Sequence, residues 1–124
     1  DIRNKLEEKG LSSKVIFAGV QSDIPAFLSA MDMFLFPSLY EGMPNTVIEA
    51  QANGVPCIIS SSITKEANIS GRVKYMDLSD SIDEWVNVVF RELGKGRYDA
   101  RKSFVDNRYD IQSVAEKFKT IFEL

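Results

Sequence analysis

The stretch DMFLFPSLYEGMPNTVIEAQANGVPCIIS, residues 32–60, decides the fold. Residues 32–38 form an apolar run stopped by Pro37, the pattern of a buried strand. Residues 45–54, NTVIEAQANG, read as a helix, with Asn45 as its N-cap and Gly54 just past its end. Residues 55–60, VPCIIS, are a second buried strand. Strands without polar alternation, joined by a helix-sized connection, are the mark of a parallel sheet covered by helices.

The same grammar extends outward. KVIFAG (14–19) is a short apolar run ending in Gly and predicts a strand, followed by a helix over DIPAFLSAM (23–31). Asp23 or Ser22 caps that helix, and its first turn tolerates Pro25. RVKYMDL (72–78) is a weaker strand. SDSIDEWVNVVFREL (79–93) is an amphipathic helix capped by Asp80 or Ser81, with Ile82, Val86, Val89 and Leu93 on its apolar face. Two more helices follow, over 98–107 and 110–124, the second with Val114, Phe118, Ile121 and Phe122 at helical spacing. DIRNKLEEKGL, at the start, reads as the end of a helix closed by Gly10, as expected of a piece of a longer chain. The expected class is α/β: one domain over 1–124, a Rossmann-like parallel sheet with flanking helices.

Composition narrows the chemistry. A net charge of −3 argues against nucleic acid as the main partner, since phosphate-backbone binding needs a basic face, and leaves room for one small nucleotide. With no histidine, the chain has no Ser-His triad, no His metal site and no His acid–base pair. The single cysteine, Cys57, falls in a buried strand; it cannot form an internal disulfide and fits a reducing cytoplasm. No apolar run approaches the ~18 residues of a membrane span.

In open parallel sheets, ligands bind beyond the carboxyl ends of the strands. The loops expected there are 19–22, 37–44 and 60–67, the last carrying Lys65. A helix starting near Asn45 would aim unpaired N–H groups and a partial positive charge at that rim, a site for phosphate. Glu49, about one turn in at roughly 1.5 Å per residue, would reach past the helix start. An ionised carboxylate only accepts hydrogen bonds, so its natural partners there are hydroxyls, such as a ribose diol. Glu41, ahead of the helix, would meet another part of the same ligand. The plainer alternatives are a solvated loop residue for Glu41 and a helix-dipole glutamate for Glu49.

The segment FLFPSLYEGMPNTVIEAQANGVPCIIS resembles the donor-binding segment of the retaining glycosyltransferases of family 4, the group 1 enzymes of the GT-B fold. The matching elements are Pro37-Ser38, Glu41-Gly42, Glu49 with seven residues between it and Glu41, and the Ala52-Asn53-Gly54-Val55-Pro56 turn into a strand. The lead-in VIFAGVQSDIPAFLSAMDMFLFPS is similar too, and the likeness covers most of 14–93. It is strongest to bacterial capsule and exopolysaccharide enzymes. The resemblance implies a C-terminal donor domain, N-terminally truncated, binding a UDP-sugar or GDP-sugar without a metal. It implies that Glu49 binds ribose hydroxyls and that Glu41 contacts the sugar near the reacting carbon. It also implies that the amides of Asn45, Thr46 and Val47, with Gly42, face the sugar and diphosphate, and that Gly19 and Val20 lie near the base.

The implied reaction moves a sugar to a saccharide or lipid-linked acceptor with retention, in an enzyme that is cytoplasmic or peripheral at the cytoplasmic face of the membrane. Glu41 is assigned to positioning and charge stabilisation, with nucleophile as the minor role. The family's diphosphate clamp, its acceptor domain and two of its sheet strands would precede residue 1. Those strands would stand between the strand at 14–18 and the strand at 33–36. The piece alone is then expected to be inactive, and its open sheet either closes up or associates with another chain. The alternative functions are a GT-B sugar-nucleotide epimerase and a non-catalytic α/β nucleotide-binding module.

Overall fold

The computed structural model describes residues 1–122. Three strands, β1 (Phe34–Phe36), β2 (Cys57–Ser60) and β3 (Val73–Met76), form one sheet in the order β1-β2-β3. Both pairings are parallel, with Phe34 opposite Cys57 and Cys57 opposite Val73. The helices are α1 (Ile2–Glu8), α2 (Ile24–Ser29), α3 (Asn45–Ala52), α4 (Ile82–Leu93), α5 (Arg101–Asp106) and α6 (Ile111–Phe122). The parallel α/β architecture is as expected.

β2 is the centre of the molecule, and all four of its residues are buried. Cys57 and Ile59 point into a core with Leu28 of α2, Val47 and Ala50 of α3, Val55, Ile63, Ala67 and Val73. Phe34 and Phe36 stack at 5.7 Å and pack against the same cluster from β1. Ile58 points to the other face and is also fully buried. Each such side chain contributes about 1.5–3 kcal/mol by leaving water. Burial leaves the Cys57 thiol neutral, its pKa pushed up to about 12.

The termini of these helices follow side-chain chemistry. Asp23 caps α2 by accepting from the Ala26 amide, and Ser81 caps α4 in a reciprocal box with Glu84. Gly54 closes α3 at φ +74°, where a Cβ would run into the Tyr98 carbonyl oxygen. The Tyr98 amide in turn donates to the Gly54 carbonyl at 3.2 Å. Arg97 pins the same corner: its guanidinium donates to the Leu28 carbonyl in α2, to the Met31 carbonyl beyond it, and to the Asn53 carbonyl and side chain beyond α3.

Four expectations are corrected. Residues 14–19 form no strand; a 3-10 turn at Ser12–Lys14 leads into an extended, unpaired segment with Ile16 89% exposed. Val15 has extended dihedrals, φ −120° and ψ 128°, but the segment lies against no strand to share hydrogen bonds with. Its neighbours are α1 residues instead, with Arg3 stacked over Phe17 at 3.9 Å. The sheet has therefore not closed up. Asn45 is not the N-cap of α3: Pro44 holds that position, φ −80° and ψ 90°, and Asn45 is the first helical residue. On α4 the buried residues are Val88 and Glu92, while Ile82 and Val86 of the predicted core face are exposed. The α4 stripe lies beside Leu35, on the sheet face away from α3, where little else covers it. The helix expected over 98–107 is confined to α5, Arg101–Asp106.

The apolar residues Phe118, Ile121 and Phe122 of α6 are also exposed. The final two residues of the predicted last helix, 123–124, lie outside the described residues. Among the described residues no helix is long and apolar enough to cross a membrane.

Candidate functional site at the carboxyl rim of the sheet

The site residues lie mostly on the loop after β1 and the first turns of α3. That loop leaves the sheet at Pro37 and turns through Gly42 to a buried Pro44. Pro44 cannot donate and ends the loop in extended backbone, so α3 begins abruptly. Its carbonyl accepts from the Val47 amide at 3.0 Å and the Ile48 amide at 3.2 Å. No side chain caps the helix, and among the described residues the Asn45 and Thr46 amides have no hydrogen-bond acceptor. Both residues are exposed. Two of the three expected amides are thus open to an anion, and the third is engaged by Pro44.

Glu41 is half-buried, and its Oε1 accepts from the Ser38 hydroxyl at 3.0 Å. The loop after β2 is tied alongside, because the Ser62 hydroxyl donates to the Ser38 carbonyl at 3.1 Å. Lys65 sits on that second loop with its ammonium over the Tyr75 ring at 3.3 Å, so its charge already has an aromatic face. Tyr40 is exposed.

Glu49 lies on the exposed side of α3, while Val47, Ala50 and Gln51 face the interior. It lines a hollow of about 420 Å³ between α2 and α3, with Ile24, Pro25, Leu28, Ala52 and Asn53. Glu41 and the first residues of α3 do not line that hollow. The hollow beside Glu49 runs toward the end of α3, at Ala52 and Asn53, whereas Glu41 is held on the loop before its start. Gly19 and Val20 lie on the unpaired segment, with Val20 fully exposed. No hydrogen bond among the described residues joins them to the loops after β1 and β2.

Two supporting residues escaped the sequence reading. The Gln51 side chain is fully buried: its amide nitrogen donates to the Val47 and Ala67 carbonyls, and its oxygen accepts from the Ser70 amide and hydroxyl. It fixes α3 against the segment that follows the second loop. Its signal was available, since Val47, Ala50 and Gln51 fall at i, i+3 and i+4 on one helical face. Arg97 gave no such signal, because its four acceptors are backbone and side-chain oxygens 44 to 69 residues away.

A parallel sheet with an uncapped helix start and a held carboxylate at its carboxyl rim defines an α/β protein whose polar groups gather where open parallel sheets commonly take ligands. The profile of the family described as glycosyl transferases group 1 matches residues 1–91. The chain belongs to that family. It is 39% identical over 98 residues, 78% of its length, to EpsF of Bacillus subtilis (strain 168), which is named as a glycosyltransferase; the match takes in 26% of that protein. It is 34% identical over 90 residues to the UDP-Gal:alpha-D-GlcNAc-diphosphoundecaprenol alpha-1,3-galactosyltransferase of Escherichia coli, covering 71% of this chain and 23% of that enzyme. Against the capsular polysaccharide biosynthesis glycosyltransferase CapH of Staphylococcus aureus it is 28% identical over 120 residues, 93% of this chain and 32% of CapH. The chain thus spans about a quarter to a third of the length of these relatives.

Proposed function

We propose that this chain is the C-terminal, donor-holding part of a retaining glycosyltransferase that builds bacterial surface polysaccharide. The observation that carries the reading is the helix start at Pro44–Thr46: two exposed amides without acceptors, at the carboxyl rim of a parallel sheet, three residues beyond a held Glu41. A diphosphate would accept from the Asn45 and Thr46 amides, where the helix dipole adds partial positive charge. Glu41, with one oxygen engaged by Ser38, would turn the other to a sugar hydroxyl and to the positive charge growing at the anomeric carbon. Glu49 would accept from the ribose hydroxyls across the helix, with the apolar wall of Ile24 and Leu28 beside it. Gly42 would let the sugar approach the backbone, and Gly19 and Val20 would stand near the base.

The donor is a UDP-sugar and the acceptor a saccharide or a lipid-linked sugar. The Escherichia coli relative, named for a UDP-Gal donor and a diphosphoundecaprenol-linked acceptor, supports this choice. The reaction uses no metal, and the protein works in the cytoplasm or at the cytoplasmic membrane face. The 124-residue chain alone is inactive, because acceptor-binding and phosphate-clamping groups are supplied by the rest of the enzyme.

The test is donor binding and turnover by the full-length protein with UDP-glucose, UDP-galactose and GDP-mannose. Glu49→Ala should weaken UDP or GDP binding by about 1–3 kcal/mol, the range for a hydrogen bond to a charged group. Glu41→Ala should leave nucleotide affinity near normal and lower turnover. UDP and GDP affinities unchanged by Glu49→Ala would remove the ribose assignment.

A further inference from the structure

The carboxyl rim of the sheet is laced by serine hydroxyls. Ser60, the last residue of β2, is fully buried, and its Oγ lies 2.7 Å from the Ser62 Oγ. The Ser62 hydroxyl has one proton, directed at the Ser38 carbonyl 3.1 Å away. Ser60 is therefore the donor in the Ser60–Ser62 pair, while its oxygen accepts from the Ser62 amide at 3.2 Å. On the other side the Ser61 amide donates to the Met76 carbonyl at 2.7 Å. The end of β2 is thus tied to the loop after β1 and to the last residue of β3.

Ser38 receives that tie through its backbone and passes it on through its side chain. Its one proton has two acceptors in range, the Tyr40 carbonyl at 3.2 Å and Glu41 Oε1 at 3.0 Å. The ionised carboxylate is the closer and the stronger acceptor. The hydrogen bond holds one carboxylate oxygen of Glu41 and removes rotation about its last side-chain bond. Among the described residues Oε2 has no protein partner, so it is the oxygen left for a ligand.

We propose that Ser38 and Ser62 are positioning residues for Glu41: Ser38 fixes the carboxylate, and Ser62 fixes Ser38. This rests on the donor-site reading of Glu41 given above. Neither serine needs to touch the sugar. Releasing the carboxylate lets it swing beside Gly42 and lose the geometry that matches charge in the transition state. Nucleotide contacts at the helix start are unaffected, so the loss belongs in kcat and not in donor KM.

The experiment is steady-state donor turnover by the full-length protein, read as nucleoside diphosphate release from the donor it accepts among UDP-glucose, UDP-galactose and GDP-mannose. Ser38→Ala should lower kcat about tenfold with donor KM within about twofold, as for loss of a charge-assisted hydrogen bond. Ser38→Thr keeps the hydroxyl and should restore most of the rate. Ser62→Ala should lower kcat about threefold, acting one link further away. In a Glu41→Ala background, Ser38→Ala should change nothing further, because the two act as a unit. If Glu41→Ala is slow while Ser38→Ala turns over normally, the positioning role is overturned and the donor-site reading stands. A Ser38→Ala effect that persists in the Glu41→Ala background, or that Thr fails to rescue, also overturns it. Normal turnover by Glu41→Ala itself overturns the donor-site reading, and the positioning proposal with it.

Discussion

Two short apolar runs of this chain, KVIFAG at 14–19 and VPCIIS at 55–60, both read as buried strands and are opposite in fate. The second becomes β2, hydrogen-bonded on both edges, with Ile58 and Ile59 at 0% exposure. The first stays unpaired, with Ile16 at 89% and Val20 fully exposed. A hydrophobic run becomes a strand only where another strand completes its backbone hydrogen bonds. β2 has β1 and β3 beside it, and the 14–19 run has no strand beside it. What differs is what each run finds next to it, not the run itself.

That contrast can be broken from its strong side. Ile59→Ala should destabilise the 124-residue chain by about 2–5 kcal/mol, since the cavity it leaves is walled by a fixed sheet and helix. Thermal or urea unfolding measures it, and a loss under 1 kcal/mol would mean the core is less tightly set than its burial shows. Gly54→Ala is next, at about 2–4 kcal/mol. It places a Cβ at positive φ against the Tyr98 backbone, so the α3 corner must open. Loss of amide-exchange protection in residues 97–100 should accompany it.

A smaller effect lies at α4, between the two extremes. Glu92 is buried, and burial alone would raise its carboxyl. The hydrogen bond and charge of Lys95, with Arg91 and the charge of Lys74, outweigh this and hold it below the ordinary glutamate range. A depressed carboxyl contributes stability above its unfolded pKa and loses it as pH falls through the folded value. Lys95 is 45% exposed and screened by solvent, so the contribution is about 0.5 kcal/mol. The gap between wild type and Glu92→Gln should shrink as pH falls below the ordinary glutamate range. A gap independent of pH would assign the effect to packing. Smallest of all, Ile16→Ser should change the stability of the 124-residue chain by less than about 0.5 kcal/mol. A larger loss would show that the unpaired run has partners in solution.

The same contrast explains what could be read from sequence. Strand and helix patterns at 32–60, 72–78, 79–93 and 110–122 were legible because each element's apolar spacing suffices to name its type. The missing strand at 14–19 was not, because periodicity reports a residue's preference and says nothing of its neighbour. The α4 face failed for a related reason: Ile82 and Val86 are correctly spaced, but Val88 and Glu92 meet the rest of the chain. At the site, Glu41 and Glu49 stood out through their spacing. The serines of the rim did not, because a hydroxyl becomes informative only when its acceptor's position is known.

Arg97 carries a consequence for the order of assembly. Its contacts span 44 residues to Asn53 and 69 to Leu28, and the Tyr98–Gly54 hydrogen bond lies in the same corner. Contacts of such sequence separation close late, after the strands and helices they join have formed. The family match ends at residue 91, six positions short of Arg97. A boundary drawn at that point would keep every strand and lose the clasp that latches α2 and α3 last.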